Sequence, residues 1–523
     1  MSLDFAAQSL DAALQRLTAT QREIVDAEDR RLCILAGAGS GKTRVLTLRV
    51  ARRCATEQVD PRHVAVMTFS RKAASELRSR LWSLGVRDVA AHTIHRWALN
   101  LVNDHRTVTS RPAVQVLGDR RRFLRELDRE RRTTLPAATV DLEVGWAKSR
   151  GLTPQNYAAA ASTARRRTPA PPEQVAEAFA AYEAARRRRG VLDLDDLLLE
   201  ATAAIQHDER FAASVHWQLR HLSVDECQDL NPAQRDLLIA LAGSDPDLVL
   251  VGDPNQAIYG WNGAEPSCWL DLAARWPDMR ELRLPDNHRS TEAICAFSAA
   301  ALGDHSAPPA RRVGGVLPQI ISYPSVDAEA ASIANLVNQL HRPGTAWSNV
   351  AVLARTNAQL QTFAAALEAA GTPYFIAGSD LLPGSDLTAG PARTEAVATA
   401  TGTIDGVVLS SFHRAKGLEW ETVLVAGVAE GLVPHSAART PEAQAEERRL
   451  LYVALSRATD QLVVTWAPSV DLRGRPRGAS PWLGDLERCL ERLRATRRPL
   501  DRAARLEVLA ALQANLHQLR EGT

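Results

Sequence analysis

Residues Ala36 to Thr43 read Ala-Gly-Ala-Gly-Ser-Gly-Lys-Thr and follow directly on the apolar run Leu32 to Leu35. This is a phosphate-binding loop in its expected context. A buried strand precedes it, and a helix-forming stretch from Lys42 to Cys54 follows. Glycines let the backbone curl so that several N–H groups converge on one anion. The helix behind them turns its positive end to the same point. Lys42 can reach outer phosphates, and the Thr43 hydroxyl can bind Mg²⁺. The strict pattern begins with Gly where this chain has Ala36, a small residue that serves equally. The alternative, a glycine-rich turn without a ligand, leaves the flanking strand and helix unexplained.

Lysine usage sharpens that reading. Of 63 Lys and Arg residues only Lys42, Lys72, Lys148 and Lys416 are Lys. A bias toward Arg leaves Lys where a compact ammonium does what a planar guanidinium cannot. Lys42 lies in the phosphate loop, and Lys72 and Lys416 fall in motifs described below. Lys148 falls in none.

At 523 residues the chain exceeds one core, and two to four domains are expected. No run of about 18 apolar residues suggests a membrane span. The N-terminus, with Asp4, lacks the basic region and apolar core of a signal peptide. The six cysteines are scattered, with no Cys-x-x-Cys pair, which argues against a zinc site or disulfide framework and fits a reducing cytoplasm. Net charge is only +2, yet Arg is clustered at 120–122, at 129, 131 and 132, at 165–167 and at 186–189. Solvated helix faces carry such runs, but four in one region favour a surface that meets a polyanion.

Up to about Ala91 strands and helices alternate. Val64–Phe69 reads as a strand and Arg71–Leu84 as a helix. From about His95 to Leu199 the chain reads as helical, broken at prolines, and suggests an inserted subdomain. Leu222–Val224 and Leu248–Val251 are short buried strands, with Pro232 near the start of the helix between them. A second α/β pattern begins after about Ser290, with strands at Val350–Ala354, Val407–Ser410, Val423–Ala426 and Leu462–Trp466. The stretch Gly378 to Asp405 reads as a linker, and a helix pair closes the chain after about Leu490. The fold class is therefore α/β, with two stacked parallel-sheet domains and a cleft between them.

Val224-Asp225-Glu226-Cys227-Gln228-Asp229 follows the apolar Leu222. A carboxylate at a strand end beside a phosphate loop can hold Mg²⁺, the role of Asp225; Glu226 can polarise the attacking water. Capping of the next helix is the competing role, and Asp229 suits it.

With these motifs in place the chain resembles a superfamily 1 DNA helicase of the UvrD/Rep/PcrA type, from about Leu17 to Asp485. The resemblance implies two RecA-like P-loop motor domains. The first comprises 1–95 and 200–290, with a helical accessory insertion at 96–199. The second comprises 291–377 and 406–490, with a short linker at 378–405 and a C-terminal helical tail at 491–523. It implies ATP and Mg²⁺ at Ala36, Gly37, Ala38, Gly39, Ser40, Gly41, Lys42, Thr43 and Arg44. Gln21, after Thr20, would read the adenine, Gln256 would sense the γ-phosphate, and Arg289 would contact it. Glu419 would bind the ribose, and Arg457 would be the arginine finger.

For DNA, Thr68-Phe69-Ser70-Arg71-Lys72 and Thr93-Ile94-His95 resemble motifs that touch a single strand, through Phe69, Lys72, Thr93 and His95. Tyr259 and Trp261 would stack on bases. Arg355 and Asn357 would meet the backbone, and His413 would approach DNA in the motif that holds Lys416. Leu194-Asp195-Asp196-Leu197-Leu198 resembles the segment returning from the insertion.

Three departures stand out. Asn262 replaces the usual Arg. His288 replaces a Tyr that stacks on adenine, an area imidazole covers less fully. Only loop-like sequence stands between Ser379 and Ile404, where relatives carry a large accessory subdomain that contacts duplex DNA. The resemblance implies an ATP-dependent 3′-to-5′ helicase or translocase acting on single-stranded and tailed or forked duplex DNA. It would work with repair or replication proteins, as a monomer or, alternatively, a dimer, and not at a membrane. A translocase that does not unwind duplex alone, and a non-enzymatic DNA-binding module with a decayed nucleotide site, are the competing readings.

Overall fold

A computed structural model describes residues 10–130, 135–303, 307–341, 344–377, 397–398, 404–470 and 476–496. The chain divides into two compact units. The first is Met1–Ser290, Pro308–Arg312 and Arg439–Val453; the second is Thr291–Ala307, Val313–Ala438 and Ala454–Thr523. Most of the expected linker 378–405, and the tail beyond 496, lie outside the described residues.

The first unit is built on β1 (Arg31–Ala36), β2 (Val64–Thr68), β3 (Ala90–Thr93), β4 (His221–Val224), β5 (Asp247–Gly252) and β6 (Arg280–Leu284). They pair in the order β3-β2-β4-β5-β1-β6, every neighbouring pair parallel. Alternate residues of β1 enter different cores. Leu32, Ile34 and Ala36 pack with Ile24, Val45, Leu48 and Leu77. Cys33 packs with Ile94, Leu101, Leu198 and Leu237. Helices thus cover both faces, which is why the central strands read as unbroken apolar runs. The strand ends that matter are the carboxyl ends, where loops leave the sheet toward a ligand.

Helices Arg120–Arg129, Ala137–Lys148, Pro154–Thr163 and Pro172–Arg189 form a layer with its own core of Phe123, Leu127, Val140, Val144, Tyr157, Phe179 and Tyr182. Helices Ile94–Val108 and Leu194–His207, on either side of it in the chain, pack on the first sheet instead. The arginine clusters of this region are partly tied up in ion pairs, while Arg122, Arg129, Arg165, Arg167, Arg187 and Arg188 stay exposed. Arg120 pairs with Asp141 at 2.6 Å and Asp195 at 2.8 Å, and Arg121 with Asp141 at 2.6 Å. Arg166 holds Glu143 at 2.7 Å, Arg186 holds Glu183 at 2.8 Å, and Arg189 holds Glu126 at 2.9 Å. These pairs neutralise part of the positive charge: Arg120, Arg121 and Arg189 take carboxylates from other helices, and Arg186 takes one from its own.

The second unit has β7 (Gln319–Ser322), β8 (Val350–Ala354), β9 (Tyr374–Ile376), β10 (Val407–Ser411), β11 (Trp420–Ala426) and β12 (Ala458–Trp466). Their order is β7-β12-β11-β8-β10-β9, again wholly parallel. Helices Val326–Leu340 and Asn357–Ala369 cover it through Ile333, Val337, Leu360, Phe363 and Leu367. No helix among the described residues is long and apolar enough to cross a membrane.

Candidate nucleotide and nucleic-acid sites

The phosphate loop leaves the carboxyl end of β1. Gly39 and Gly41 have φ of +69° and +86°, a backbone that L side chains rarely adopt. Gly41 is also the N-cap of the helix Lys42–Ala55, and no side chain caps that helix. Its first N–H groups are therefore available to an anion rather than consumed locally. Ser40 ties the loop by donating to the Gly37 carbonyl at 2.8 Å. Among the described residues the Lys42 ammonium has long contacts, 3.4 Å to the Ala36 carbonyl and 3.8 Å to an Asp253 carboxylate oxygen.

Asp225 leaves the end of β4 and accepts from the Thr43 hydroxyl at 3.2 Å. Burial first, and then Glu226 beside it, push its carboxyl well above the usual carboxylate range, against Lys42, the Glu226 N–H and Thr43. Two adjacent carboxyl groups, one of them buried, beside a serviceable hydroxyl suit a hard divalent cation with oxygen ligands, so the residues fit Mg²⁺. Glu226 itself sits at φ +60°, left-handed and costly for a side-chain residue. Its carboxylate is held by the Gln228 amide. Asp229 does not cap the following helix. Asn231 does, accepting from Gln234 N–H at 2.8 Å in a reciprocal capping box, because Pro232 sets the helix start one residue later.

Gln256 is buried and donates to Asp253 at 2.6 Å. Asp253 accepts from Asn255 N–H at 3.0 Å, and its own N–H donates to Gln228 at 2.9 Å. Asp253 and Gln228 are thus the brackets of this site, and residue spacing gave them no role. Asn287 is a third. Its amide donates to the Ala38 carbonyl at 2.8 Å, and its oxygen accepts from the N–H of Arg289 and of Ser290, each at 2.8 Å. A Cβ on Gly39 would stand 2.7 Å from Arg289 Cβ, so the loop and the Asn287–Ser290 segment are in direct contact.

Gln21 is buried at the other end of the loop. Its amide nitrogen lies 3.1 Å from the Ser40 carbonyl oxygen and 3.2 Å from His288 Nε2. An amide nitrogen donates only, so His288 accepts and is neutral there. Burial first lowers the His288 pKa, helped by Arg311 and Arg44 and opposed by Asp286. The Arg44 guanidinium reaches the Ala13 carbonyl at 3.4 Å.

Phe69, Thr93 and His95 line an open groove of about 580 Å³ with Arg71, Arg78, Arg96, Val116 and Leu194. They meet because β2 and β3 are neighbours and both end there. Lys72 is exposed on the helix Arg71–Ser83. The Thr93 hydroxyl already accepts from Arg96 N–H at 3.2 Å as a helix N-cap, which leaves its proton and one lone pair for a ligand. Burial lowers the His95 pKa against Asp195 and Asp193, which keeps the imidazole neutral. Trp261 is 60 % exposed, its ring 6.3 Å from that of Tyr259. The loop that carries them is gripped from the helix Pro441–Leu455. Glu446 accepts from Gly260 N–H at 3.0 Å, and Arg449 donates to the Ala257 carbonyl at 2.7 Å. These contacts group Arg439–Val453 with the first unit, although the resemblance counted them with the second.

In the second unit Arg355 and His413 follow the carboxyl ends of β8 and β10, which pair with Ala354 opposite Ser411. Asn357 begins the next helix behind a Thr356–Gln359 capping box. Glu419 is exposed just before β11. Arg457 is buried, donating to the Leu418 carbonyl at 3.2 Å and the Ser456 hydroxyl at 2.9 Å.

The model of the UvrD/REP helicase N-terminal domain matches residues 17–277, and that of the UvrD-like helicase C-terminal domain matches 282–382 and 394–469. The chain belongs to the UvrD/REP helicase family. It is 33 % identical to ATP-dependent DNA helicase UvrD2 of Mycobacterium tuberculosis over 89 % of this chain and 80 % of that protein. It is 31 % identical to ATP-dependent DNA helicase PcrA of Leuconostoc citreum over 71 % of this chain, and 29 % identical to DNA helicase II of Escherichia coli over 70 %. It spans about half the length of those last two, 51 % and 52 %. Membership makes sense of one sheet edge that carries both a phosphate loop and an open, aromatic-lined groove.

Proposed function

We propose that this helicase hydrolyses ATP to move 3′-to-5′ along single-stranded DNA and to open tailed or forked duplexes, in DNA repair or replication. One observation carries the reading. The phosphate loop, the Asp225–Glu226 pair and the groove lined by Phe69 and His95 all leave the carboxyl edge of a single parallel sheet. Nucleotide chemistry and strand contact then share one rigid support.

Loop N–H groups and Lys42 bind the phosphates of ATP, and Gln21 and His288 bind its base. Thr43 and Asp225 would hold Mg²⁺, which when bound neutralises charge on the outer phosphates. Glu226 orients the attacking water and takes its proton. Gln256, bonded to Asp253, reports on the terminal phosphate, and Arg289 and Arg457 stabilise the charge developing there. Glu419 is assigned to the ribose. Aromatic faces at Phe69, Tyr259 and Trp261 accept any base, and Arg355, Asn357, His413, Thr93 and Lys72 serve the strand without reading its sequence.

The short stretch from Gly378 to Asp405 favours a second reading, in which the chain translocates and displaces bound proteins but does not unwind duplex alone. ATP turnover with and without single-stranded DNA, followed by unwinding of a 3′-tailed duplex, tests both. Lys42→Ala abolishes DNA-stimulated hydrolysis and leaves weak DNA binding. Hydrolysis that survives this change refutes the site; unwinding by the isolated chain rejects the second reading.

A further inference from the structure

Lys148, the lysine that no motif absorbed, opens a run of three residues that each point to a different element. Its ammonium lies 3.0 Å from Glu183, 2.7 Å from Asp193 and 2.5 Å from Asp196. These carboxylates belong to the last helix of the inserted layer and to the start of the helix Leu194–His207. The Ser149 carbonyl accepts from Ala233 N–H at 2.8 Å, in the first turn of the helix that follows Asp225 and Glu226. Arg150 pairs with Glu265. The Arg150 guanidinium also donates to the Trp146 carbonyl at 3.1 Å and lies 4.7 Å from the Trp146 ring centroid.

Glu265 stands just beyond the loop that holds Tyr259 and Trp261. That loop is a tight turn. The N–H groups of Asn262 and Ala264 both donate to the Tyr259 carbonyl, at 2.9 and 3.2 Å, and Gly263 N–H donates to the Gly260 carbonyl at 3.1 Å. Gly263 has φ +90°, and a Cβ there would come 2.6 Å from Ser149 Oγ. The loop backbone therefore rests on Ser149, and Glu265 is pinned by Arg150. With both points fixed, so short a turn constrains the backbone that carries Trp261.

We propose that Arg150 is a positioning residue for DNA binding: it keys the loop of Tyr259 and Trp261 to the helical layer and holds the exposed indole ready for a base. The proposal rests on the reading of Trp261 as a strand contact. Arg150 belongs to neither the phosphate loop nor the groove lined by Phe69 and His95, so its loss acts on the affinity for DNA through the loop and spares the nucleotide site. The pair is partly exposed, with side chains 21 % and 36 % accessible, so its removal leaves the fold intact.

The test uses the full chain, with ATP turnover titrated by oligothymidylate. Arg150→Met keeps an unbranched apolar side chain and removes the guanidinium; Glu265→Gln removes the charged partner. Each raises the KM for oligothymidylate about tenfold, equivalent to weakening one base stack, and leaves unstimulated turnover and the KM for ATP unchanged. The swapped pair, R150E with E265R, recovers most of the DNA affinity. Trp261→Ala separates the two levels. An unchanged KM for DNA in Trp261→Ala overturns the strand contact itself. A raised KM there beside an unaltered Arg150→Met overturns only the positioning role. A swap that fails to recover, or an Arg150→Met that lowers unstimulated turnover along with the melting temperature, reduces Arg150 to a general structural part and also overturns the proposal.

Discussion

Replacing Lys148 with Met tests the interior of the inserted layer directly. The Lys148 side chain is 3 % exposed and faces three carboxylates, at most 10 % exposed, within 3.0 Å. Arg186 remains for Glu183 and Asp196, at 2.8 and 3.0 Å. Asp193 keeps the Tyr182 hydroxyl at 2.6 Å and the Asp196 N–H at 2.8 Å, with Arg120 as its cation at 3.8 Å. One buried carboxylate is thus left without its main cation, a change that costs about 3–5 kcal/mol. In a unit of this size that lowers the melting temperature by roughly 10 °C.

The loss is pH-dependent, with a definite sign. In the parent, burial would raise the Asp193 pKa, but Lys148, helped by Tyr182 and Arg120, outweighs it and holds the group low. Burial and then Asp193 already raise that of Asp196. Without Lys148 the Asp196 pKa stands still further above its unfolded value, and Asp193 loses its largest lowering influence. The folded state then binds protons that the unfolded state has released, so stability falls as pH rises through that window. The deficit against the parent is largest at pH 8 and shrinks toward pH 5.5. Lys148→Arg is no rescue: a larger planar cation in a filled cage costs roughly 1–3 kcal/mol. Thermal and urea unfolding at the two pH values decide the matter. A Met variant within about 0.5 kcal/mol of the parent at pH 8, the range of ordinary surface changes, refutes the buried cage.

Gly39→Ala places a methyl 2.7 Å from Arg289 Cβ at φ +69°, so nucleotide affinity falls by about tenfold or more in a fluorescent-nucleotide titration. Unchanged affinity would show that the loop tolerates a side chain there. Asn287→Ala removes three bonds around the same loop and costs about 1–3 kcal/mol for the polar groups left unpaired, read as a higher KM for ATP. Gln21→Ala narrows the ATP-over-GTP preference by about fivefold, the worth of one hydrogen bond, while turnover at saturation holds. DNA binding weakens steeply between low and moderate salt and shows little base preference; a salt-insensitive or sequence-specific interaction contradicts the groove.

The central strands and the phosphate loop were legible because their rules are local. A strand buried on both faces is an unbroken apolar run, as at Val350–Ala354, and a loop that cradles phosphate needs glycine at short fixed spacing. The edge strands Ala90–Thr93, Arg280–Leu284, Gln319–Ser322 and Tyr374–Ile376 escaped notice. One face or rim of an edge strand meets water, so charged and small residues break the run. The ion pairs of Arg120, Arg121 and Arg189 were not legible because their carboxylates come from other helices.

What the sequence alone determined was therefore the class of fold, the family and the position of the glycine-rich loop at a strand end. Only the tertiary structure decided what holds them. Asn287 grips the Ala38 carbonyl from 249 residues away, Glu446 reaches Gly260 across 186, and Lys148 finds its carboxylates 35 to 48 residues on. Periodicity and spacing report the interactions of a segment with itself and with water. A buried polar group takes its partner from whatever the folded chain brings near, and no local pattern encodes that choice.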